Sequence, residues 1–352
     1  MIRSLARRVI DGVVGLVGPA AKRTLGKSDL VRRLVRWARA THDTPPASVT
    51  IDTDLVTENP SAVLIPIELI GNVPSYRYKL EELKRRHASM GAAFGLKDPL
   101  DSINDKYRAY TFADRYGIDH PKLIGAFGSV DHVEWAELPK RFVLKTRWGS
   151  SNHGVKALVR EGPATFYDLL RSRTWTVEEI VDHHHRMEAQ GTVSKTMFAE
   201  ELILKPGTNH IADDWKFYCF DGVVGLCMQR DVRATGDQSQ WRFKFWDSDW
   251  NDMGPIKFAD RLDPDLAPPE DPAALLELAE RLSSIIRRPF VRIDLFESER
   301  GPVLGEFTPR PGPPEVFVPQ VDEMLGRLWE EAEQRLFARE IADGVWNHIL
   351  IE

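Results

Sequence analysis

The chain is poor in cysteine: among its 352 residues only Cys219 and Cys227 carry a thiol. Two thiols build no disulfide framework, and no histidine spacing beside them suggests zinc. A reducing, cytoplasmic compartment is the expectation that follows. The chain also lacks an apolar run of the roughly 18–20 residues needed to cross a bilayer. Its N-terminus is basic and apolar, but Arg7, Arg8 and Asp11 interrupt it and no small-residue cleavage site follows, so no signal peptide is expected. There is no GxxxxGK[ST] segment, hence no P-loop, and no internal repeat.

What is present is ordinary for a soluble globular protein: 42% hydrophobic and 28% charged residues, with 24 Gly and 23 Pro. This length suggests two or three lobes rather than one small core. The net charge of −6 conceals an asymmetry. Residues 1–40 hold ten Lys or Arg against Asp11 and Asp29, a balance of +8, which leaves −14 for the rest. So acidic a body argues against a nucleic-acid groove along the protein. In the basic segment, Ile2, Leu5, Val9, Val13 and Leu16 recur at helical spacing. Two readings stay open: helices packed on the body, or a peripheral anchor on an anionic membrane or polymer through residues 1–40.

Further along, Thr41–Ser48 has the composition of a linker and Ala62–Ile70 that of a buried strand. Periodicity predicts helices over Tyr78–Met90, Asp101–Tyr116, Val177–Ala189, Ala273–Arg287 and Glu323–Ala342. Strands are expected at Pro121–Phe127 and Arg141–Lys145, with a Gly/Ser/Asn loop over Trp148–Val155. From Met197 the pattern becomes strand–turn–strand, and Asp221-Gly222 between two apolar runs is a strong hairpin signal. Two more strands, PFVRIDLF and PVLGEF, flank Glu297–Gly301.

Four segments carry residue types suited to a triphosphate and its metal. Lys145 ends an apolar strand just before Gly149, Ser150, Ser151 and Gly154; a fixed cation and a pliable loop can meet phosphate oxygens with side chain and backbone N–H. Asp294 and Glu306 fall on strands that pair across a short connection, and two carboxylates suit Mg²⁺, which takes oxygen ligands. Asp214 and Lys216 at one end of the hairpin, with Arg230 at the other, can offer positive charge to a reacting phosphoryl group. Glu200-Glu201-Leu202 is a segment that can receive an adenine through backbone groups. Each feature alone has an ordinary structural reading: a surface loop, salt-bridged acids with Arg292 as partner, solvated hairpin cations, or a strand with a charged start.

The order of these features is more telling. INDKYRAYTFADRYGI, LPKRFVLKTRWGSS, AEELIL, DWKFYCFDG, RIDLF and GEFTPRPG resemble the teichuronopeptide-biosynthesis (TupA-like) ATP-grasp family. The hairpin and the Asp294…Glu306 pair are also similar to the ribosomal-protein glutamate-ligase (RimK-like) branch. The resemblance covers Asp101–Gly312. It implies an α+β ATP-grasp fold, two α+β lobes clasping ATP, with an additional, partly helical N-terminal region. The divisions expected are a basic helical segment (1–45), an α/β region (46–100), an N-lobe with the phosphate loop (101–195), and a C-lobe with hinge, metal site and terminal helix (196–352). The resemblance further implies that Lys106 and Lys145 contact ATP phosphates under the Gly149–Gly154 loop and that Glu200, Glu201 and Leu202 form the adenine hinge. Asp294 and Glu306 hold Mg²⁺, Lys216 and Arg230 stabilise the transferred group, and Arg292 orients a carboxylate substrate. Many relatives carry Asn where this chain has Thr308, the third metal-ligand position. Asp213 and Asp214 both stand as candidates for the ribose. The activity implied is ATP-dependent ligation of a carboxylate to an amine through an acyl-phosphate. A kinase on the same fold and a non-catalytic nucleotide-binding scaffold are the alternatives.

Among residues outside this set, His183, His184 and His185 point different ways on a helix and form no compact metal site. Trp241, Phe243, Phe245, Trp246 and Trp250 can stack on a ligand or pack in a core. Arg310-Pro311-Gly312-Pro313-Pro314, past the metal strand, can reach a substrate.

Overall fold

The computed structural model describes residues 73–149, 153–232, 240–312 and 315–349, almost all of them in the compact unit Ser75–Glu352. The basic segment, the linker and the Ala62–Ile70 strand lie outside the described residues, as do Ser150, Ser151, Pro313 and Pro314.

Helix α1 (Tyr76–Phe94) is capped by the Ser75 hydroxyl, which accepts from the Tyr78 N–H at 3.2 Å. The single helix expected over Asp101–Tyr116 is two helices, α2 (Leu100–Asn104) and α3 (Lys106–Arg115). Asp105 makes the break. Its backbone is extended, and its carboxylate accepts from the Tyr107 and Arg108 N–H groups, capping α3. Lys106 becomes the first residue of the new helix.

The first sheet has six strands: β1 (Leu123–Phe127), β2 (Arg141–Thr146), β3 (Val155–Gly162), β4 (Thr165–Asp168), β5 (Arg173–Thr176) and β6 (Met197–Glu200), in the order β1-β6-β2-β3-β4-β5. Every pairing is antiparallel. Between β5 and β6 runs α4 (Val177–Ala189), begun by a Thr176–Glu179 capping box. Ile180 of α4 packs on Phe142, Leu144, Leu158 and Phe166 of one sheet face. Val143 and Ala157, on the opposite face, meet Leu202. Strand β6 lies between β1 and β2, so the sheet runs across the lobe boundary expected at 195/196. Pairing overrides the sequence division here: Glu200 stands opposite both Leu123 and Val143.

The second sheet contains β7 (Asp214–Phe220), β8 (Val223–Asp231), β9 (Arg242–Trp246), β10 (Val291–Ser298) and β11 (Gly301–Thr308), in the order β11-β10-β7-β8-β9. The Asp221-Gly222 turn has φ of 47° and 88°, the double positive φ of a type I′ hairpin. Arg339 and Arg335 of the terminal helix hold the Asp221 carboxylate. Helix α5 (Pro272–Ile286) and α3 cover one face, burying Trp215, Phe217, Ile293 and Phe307. Helix α1 and α6 (Pro319–Ala342) cover part of the other, with Tyr76 and Trp329 packed on Tyr218, Phe220 and Phe290. Burial on both faces explains why β7 has no alternation: all seven of its residues are buried. Cys219 and Cys227 lie in this core, and burial pushes both thiols up, which keeps them unreactive. Of the aromatic cluster, Phe243, Phe245 and Trp246 are core residues.

One lysine is out of place energetically. Lys156 on β3 is 4% exposed, and its ammonium has no hydrogen-bond partner. Nζ lies 4.3 Å from the Trp175 ring centre, and the Arg173 guanidinium is 3.7 Å from the same ring. Burial, reinforced by Arg171 and Arg173 and only partly offset by Asp168, lowers its pKa to about 7. The unfolded chain holds this proton up to about pH 10.4, so between those limits it binds more protons than the folded one. Stability therefore rises with pH across that window. Lys156→Met is expected to stabilise the domain at pH 7 by on the order of a few kcal/mol and to flatten the dependence between pH 7 and 10, as followed by thermal unfolding. An unchanged pH slope in the variant would refute this assignment.

Candidate functional site

Antiparallel register sets the site. On one face of the second sheet, Asp214 is paired with Arg230 and Phe296, Lys216 with Asp294, Asp294 with Glu306, and Arg292 with Tyr218 and Thr308. Side chains two residues apart share a face, so three successive rows of polar groups stand side by side. Lys216 Nζ binds Asp294 Oδ2 and lies 2.8 Å from Asp214 Oδ2. Arg230 pairs with the same Asp214 oxygen and lies over the Trp241 ring at 4.4 Å. Arg292 clasps Asp294 with Nε at 2.7 Å and Nη2 at 2.9 Å.

A cleft open at its mouth separates this row from the first sheet. Its other wall is Val143, Lys145, Val155 and Ala157, and Leu202, Ile203, Ile211 and Ala212 form an apolar end. Lys145, 9% exposed, is ion-paired with Glu200, whose other oxygen accepts from the Tyr110 hydroxyl at 2.6 Å. Lys106 reaches across: Nζ is 3.3 Å from the Gly149 carbonyl and 3.8 Å from Glu306 Oε2.

Backbone geometry fixes the two ends, Gly149 and Gly154, of the glycine-rich segment. Gly154 has φ +73°, and a Cβ there would stand 2.5 Å from Thr146 Oγ1. A Cβ on Gly149 would meet the His153 carbonyl at 2.9 Å. Both positions require glycine.

The structure thus brings Lys106, Lys145, Glu200, Leu202, Asp214, Arg230, Asp294 and Glu306 to one cleft. Lys216 and Arg292 stand directly behind the carboxylates. Glu201 also lines the cleft, but its carboxylate is held at the rim by Arg300, at 2.7 and 2.8 Å. Asp213 is spent on structure: Oδ2 accepts from Gln229 at 2.9 Å and lies 3.4 Å from Lys205. Asp214, by contrast, faces the cleft with Oδ1 buried and unpartnered, as is Arg230 Nε. Arg310 is bound to Asp98 and Asp101. His183 packs on Trp175, His185 bonds Asp131 at 2.9 Å and His184 is buried, so the three diverge. Tyr110, Asp105 and Arg300 escaped sequence reasoning. Asp105 alone left a trace, as an N-cap residue ahead of an apolar period.

The carboxylates fit a hard cation. Asp294 and Glu306 are direct cross-strand partners, and Glu306 is half-buried at the cleft wall. Burial would raise the Glu306 pKa, but Lys106, Lys216 and Arg292 outweigh it and hold the group down at about 2. It is ionised at any physiological pH. Two hard oxygen donors beside unsatisfied polar atoms suit Mg²⁺ sharing its shell with phosphate and water. Among the described residues no cluster of three His, Cys, Asp or Glu forms a closed metal site.

Two antiparallel sheets around a cleft with a cationic row, a carboxylate pair and a glycine-bounded loop define the ATP-grasp class of ATP-dependent ligases. The TupA-like ATP-grasp family matches residues 79–330, and the chain belongs to that family. No curated protein matches it. Similar solved structures include D-alanine–D-alanine ligase from Bacillus anthracis, at 15% identity and TM-score 0.44 over 68% of this chain and 70% of that one. A RimK-domain ATP-grasp protein from Sphaerobacter thermophilus gives 15% and 0.39 over 66% and 67%. The ATP-grasp ligase PsnB, complexed with its minimal precursor, gives 14% and 0.38 over 78% of each chain.

Gly154→Ala is expected to cost about 1–3 kcal/mol of stability, read as a lower denaturation midpoint. Gly191 has φ +68° but open space within 4 Å of where a Cβ would stand, so Gly191→Ala is the control for conformational strain alone. Equal losses in the two variants would show that Thr146 contributes nothing.

Proposed function

We propose that the chain binds Mg-ATP in this cleft and uses it to join a carboxylate to an amine through an acyl-phosphate. The observation that carries this reading is the row Asp214, Lys216, Arg230, Arg292, Asp294 and Glu306 on one sheet face, opposite Lys145. The apolar end at Leu202 and Ile203 accepts the adenine, with the Glu200–Leu202 backbone as hinge. Asp214 is then the better placed of the two ribose candidates, because it lines the cleft with Oδ1 unpartnered whereas Asp213 does not line it.

Lys106 and Lys145 hold the phosphates beneath the 149–154 loop. Asp294 and Glu306 would hold Mg²⁺, which would supply positive charge to the phosphate oxygens. The substrate carboxylate oxygen attacks the γ-phosphorus, the bond to the β-phosphate oxygen breaks, and ADP leaves. Lys216 and Arg230 balance charge on the moving phosphoryl group, while Arg292 orients the carboxylate. The amine nitrogen then attacks the acyl carbon, phosphate departs with the C–O electron pair, and the ammonium proton passes to solvent. No protein nucleophile takes part, in keeping with two inert thiols. The buried thiols also suit a cytoplasmic setting. Among the described residues no helix is long and apolar enough to cross a membrane; the proposed peripheral contact through residues 1–40 rests on their net charge and on the helical spacing of their apolar residues in the sequence.

An ADP-release screen of amino acids against candidate carboxylates tests the reading. The expected result is ADP and free phosphate in equal amounts, dependent on the amine. ADP with a stable phosphorylated product would identify a kinase instead. Asp294→Asn and Glu306→Gln are each expected to lower turnover by at least about 100-fold; full activity in both would remove the metal assignment.

A further inference from the structure

Resting on the Mg-ATP reading above, we infer that Thr308 is a positioning residue for Arg292 and not the third metal ligand its place after Glu306 suggests. The Thr308 hydroxyl accepts from Arg292 Nη2 at 3.0 Å, and the same nitrogen donates to Asp294 Oδ2 at 2.9 Å. Thr308 and Arg292 are cross-strand partners, one row beyond the Asp294–Glu306 pair. The hydroxyl oxygen thereby already accepts from a guanidinium, and unlike the Asp294 carboxylate it carries no formal charge to share with a second cation. It leaves the metal with two carboxylates from the protein and the rest of its shell to phosphate and water.

The other side of Arg292 is built for the same end. Tyr218 is its register partner on β7 and donates to Glu315 Oε2 at 2.9 Å. Glu315 Oε1 accepts from Lys257 at 3.1 Å. All three residues are buried, so the Glu315 charge is satisfied in place and adds a fixed negative field behind the guanidinium. Asp294 cannot fill that role alone, because a metal ion draws on the same oxygens. Thr308 on one flank and the Tyr218–Glu315–Lys257 chain on the other keep Arg292 oriented directly behind the Asp294 carboxylate. A guanidinium presents a rigid fork to a carboxylate, so its orientation fixes where the substrate carboxylate enters.

The test uses the full chain with Mn²⁺ and AMP-PNP as probes, and Arg-labelled protein for side-chain NMR. In Thr308→Val, Mn²⁺ affinity in the AMP-PNP complex, read by electron paramagnetic resonance, should stay within about twofold of wild type. Asp294→Asn should lose at least about tenfold. The slowly exchanging Arg292 guanidinium signal should be present in wild type and Thr308→Ser and absent in Thr308→Val. A tenfold loss of Mn²⁺ affinity in Thr308→Val overturns the proposal, as does an Arg292 signal indifferent to that change. If wild type binds no Mn²⁺·AMP-PNP, the Mg-ATP reading fails, and the NMR comparison alone decides whether Thr308 anchors Arg292.

Discussion

The bond between Lys216 and Asp294 organises the protein's chemistry. Both groups are almost fully buried, on adjacent strands of a sheet whose other face is a hydrophobic core. Removing two charges from water costs several kcal/mol per ion, so the pair survives only because each member has a second partner. Lys216 also meets Asp214, and Asp294 is also clasped by Arg292. Asp214 in turn meets Arg230. The result is an alternating chain, Arg230–Asp214–Lys216–Asp294–Arg292, running across three strands. Such a chain stabilises the fold little compared with apolar residues of the same volume. Its presence in the middle of an otherwise apolar sheet is what the proposed Mg-ATP reading accounts for: under that proposal the chain would preposition carboxylates for a metal and cations for phosphate.

The surrounding packing makes that chain rigid. β7 is buried along its whole length, and the residues alternating with Asp214, Lys216 and Tyr218 are Trp215, Phe217 and Cys219 in the core beneath α3 and α5. A polar side chain on such a strand cannot turn away without dragging a large apolar neighbour into the cleft. Hence geometry at the site is inherited from core packing, and a one-residue slip in register would exchange the two faces.

Much of this was legible in the sequence, and what was missed has physical causes. The β7–β8 hairpin announced itself through Asp221-Gly222, because few residue pairs accept two positive φ angles. The Asp294–Glu306 pairing followed from two apolar runs with a short connection. Strands β3 to β5 did not show, since Lys156, Arg160, Arg171 and Arg173 break the apolar period; Lys156, Arg160 and Arg173 are accommodated by stacking on Trp175 and Phe166. The break at Asp105 was hidden because helical periodicity continues through it while a side-chain cap restarts the helix. Partners of Glu200 and Glu201 were invisible for another reason: Tyr110 and Arg300 are 90 and 99 residues away. The commitment of Thr308 to Arg292 likewise depends on register, which spacing alone does not reveal.

The same distances say how the two walls of the cleft are joined. At the α3 end the junction is apolar: Phe198 of the first sheet packs in one core with Ala109, Tyr110 and residues of the second sheet. At the rim it is ionic, with Arg300 spanning Asp119 and Glu201 while about one-third exposed. Solvent-exposed ion pairs contribute about 0–1 kcal/mol, far less than a shared core. Lys106 makes the third link, and its contacts at 3.3 and 3.8 Å are long for a strong bond. A ligand that supplies anionic oxygens to Lys106 and Lys145 competes with weak contacts on the Lys106 side and a tight one, Glu200, on the other. Lys106 is therefore the cation whose position should depend most on what occupies the cleft, and Lys145 the one set in advance by the fold.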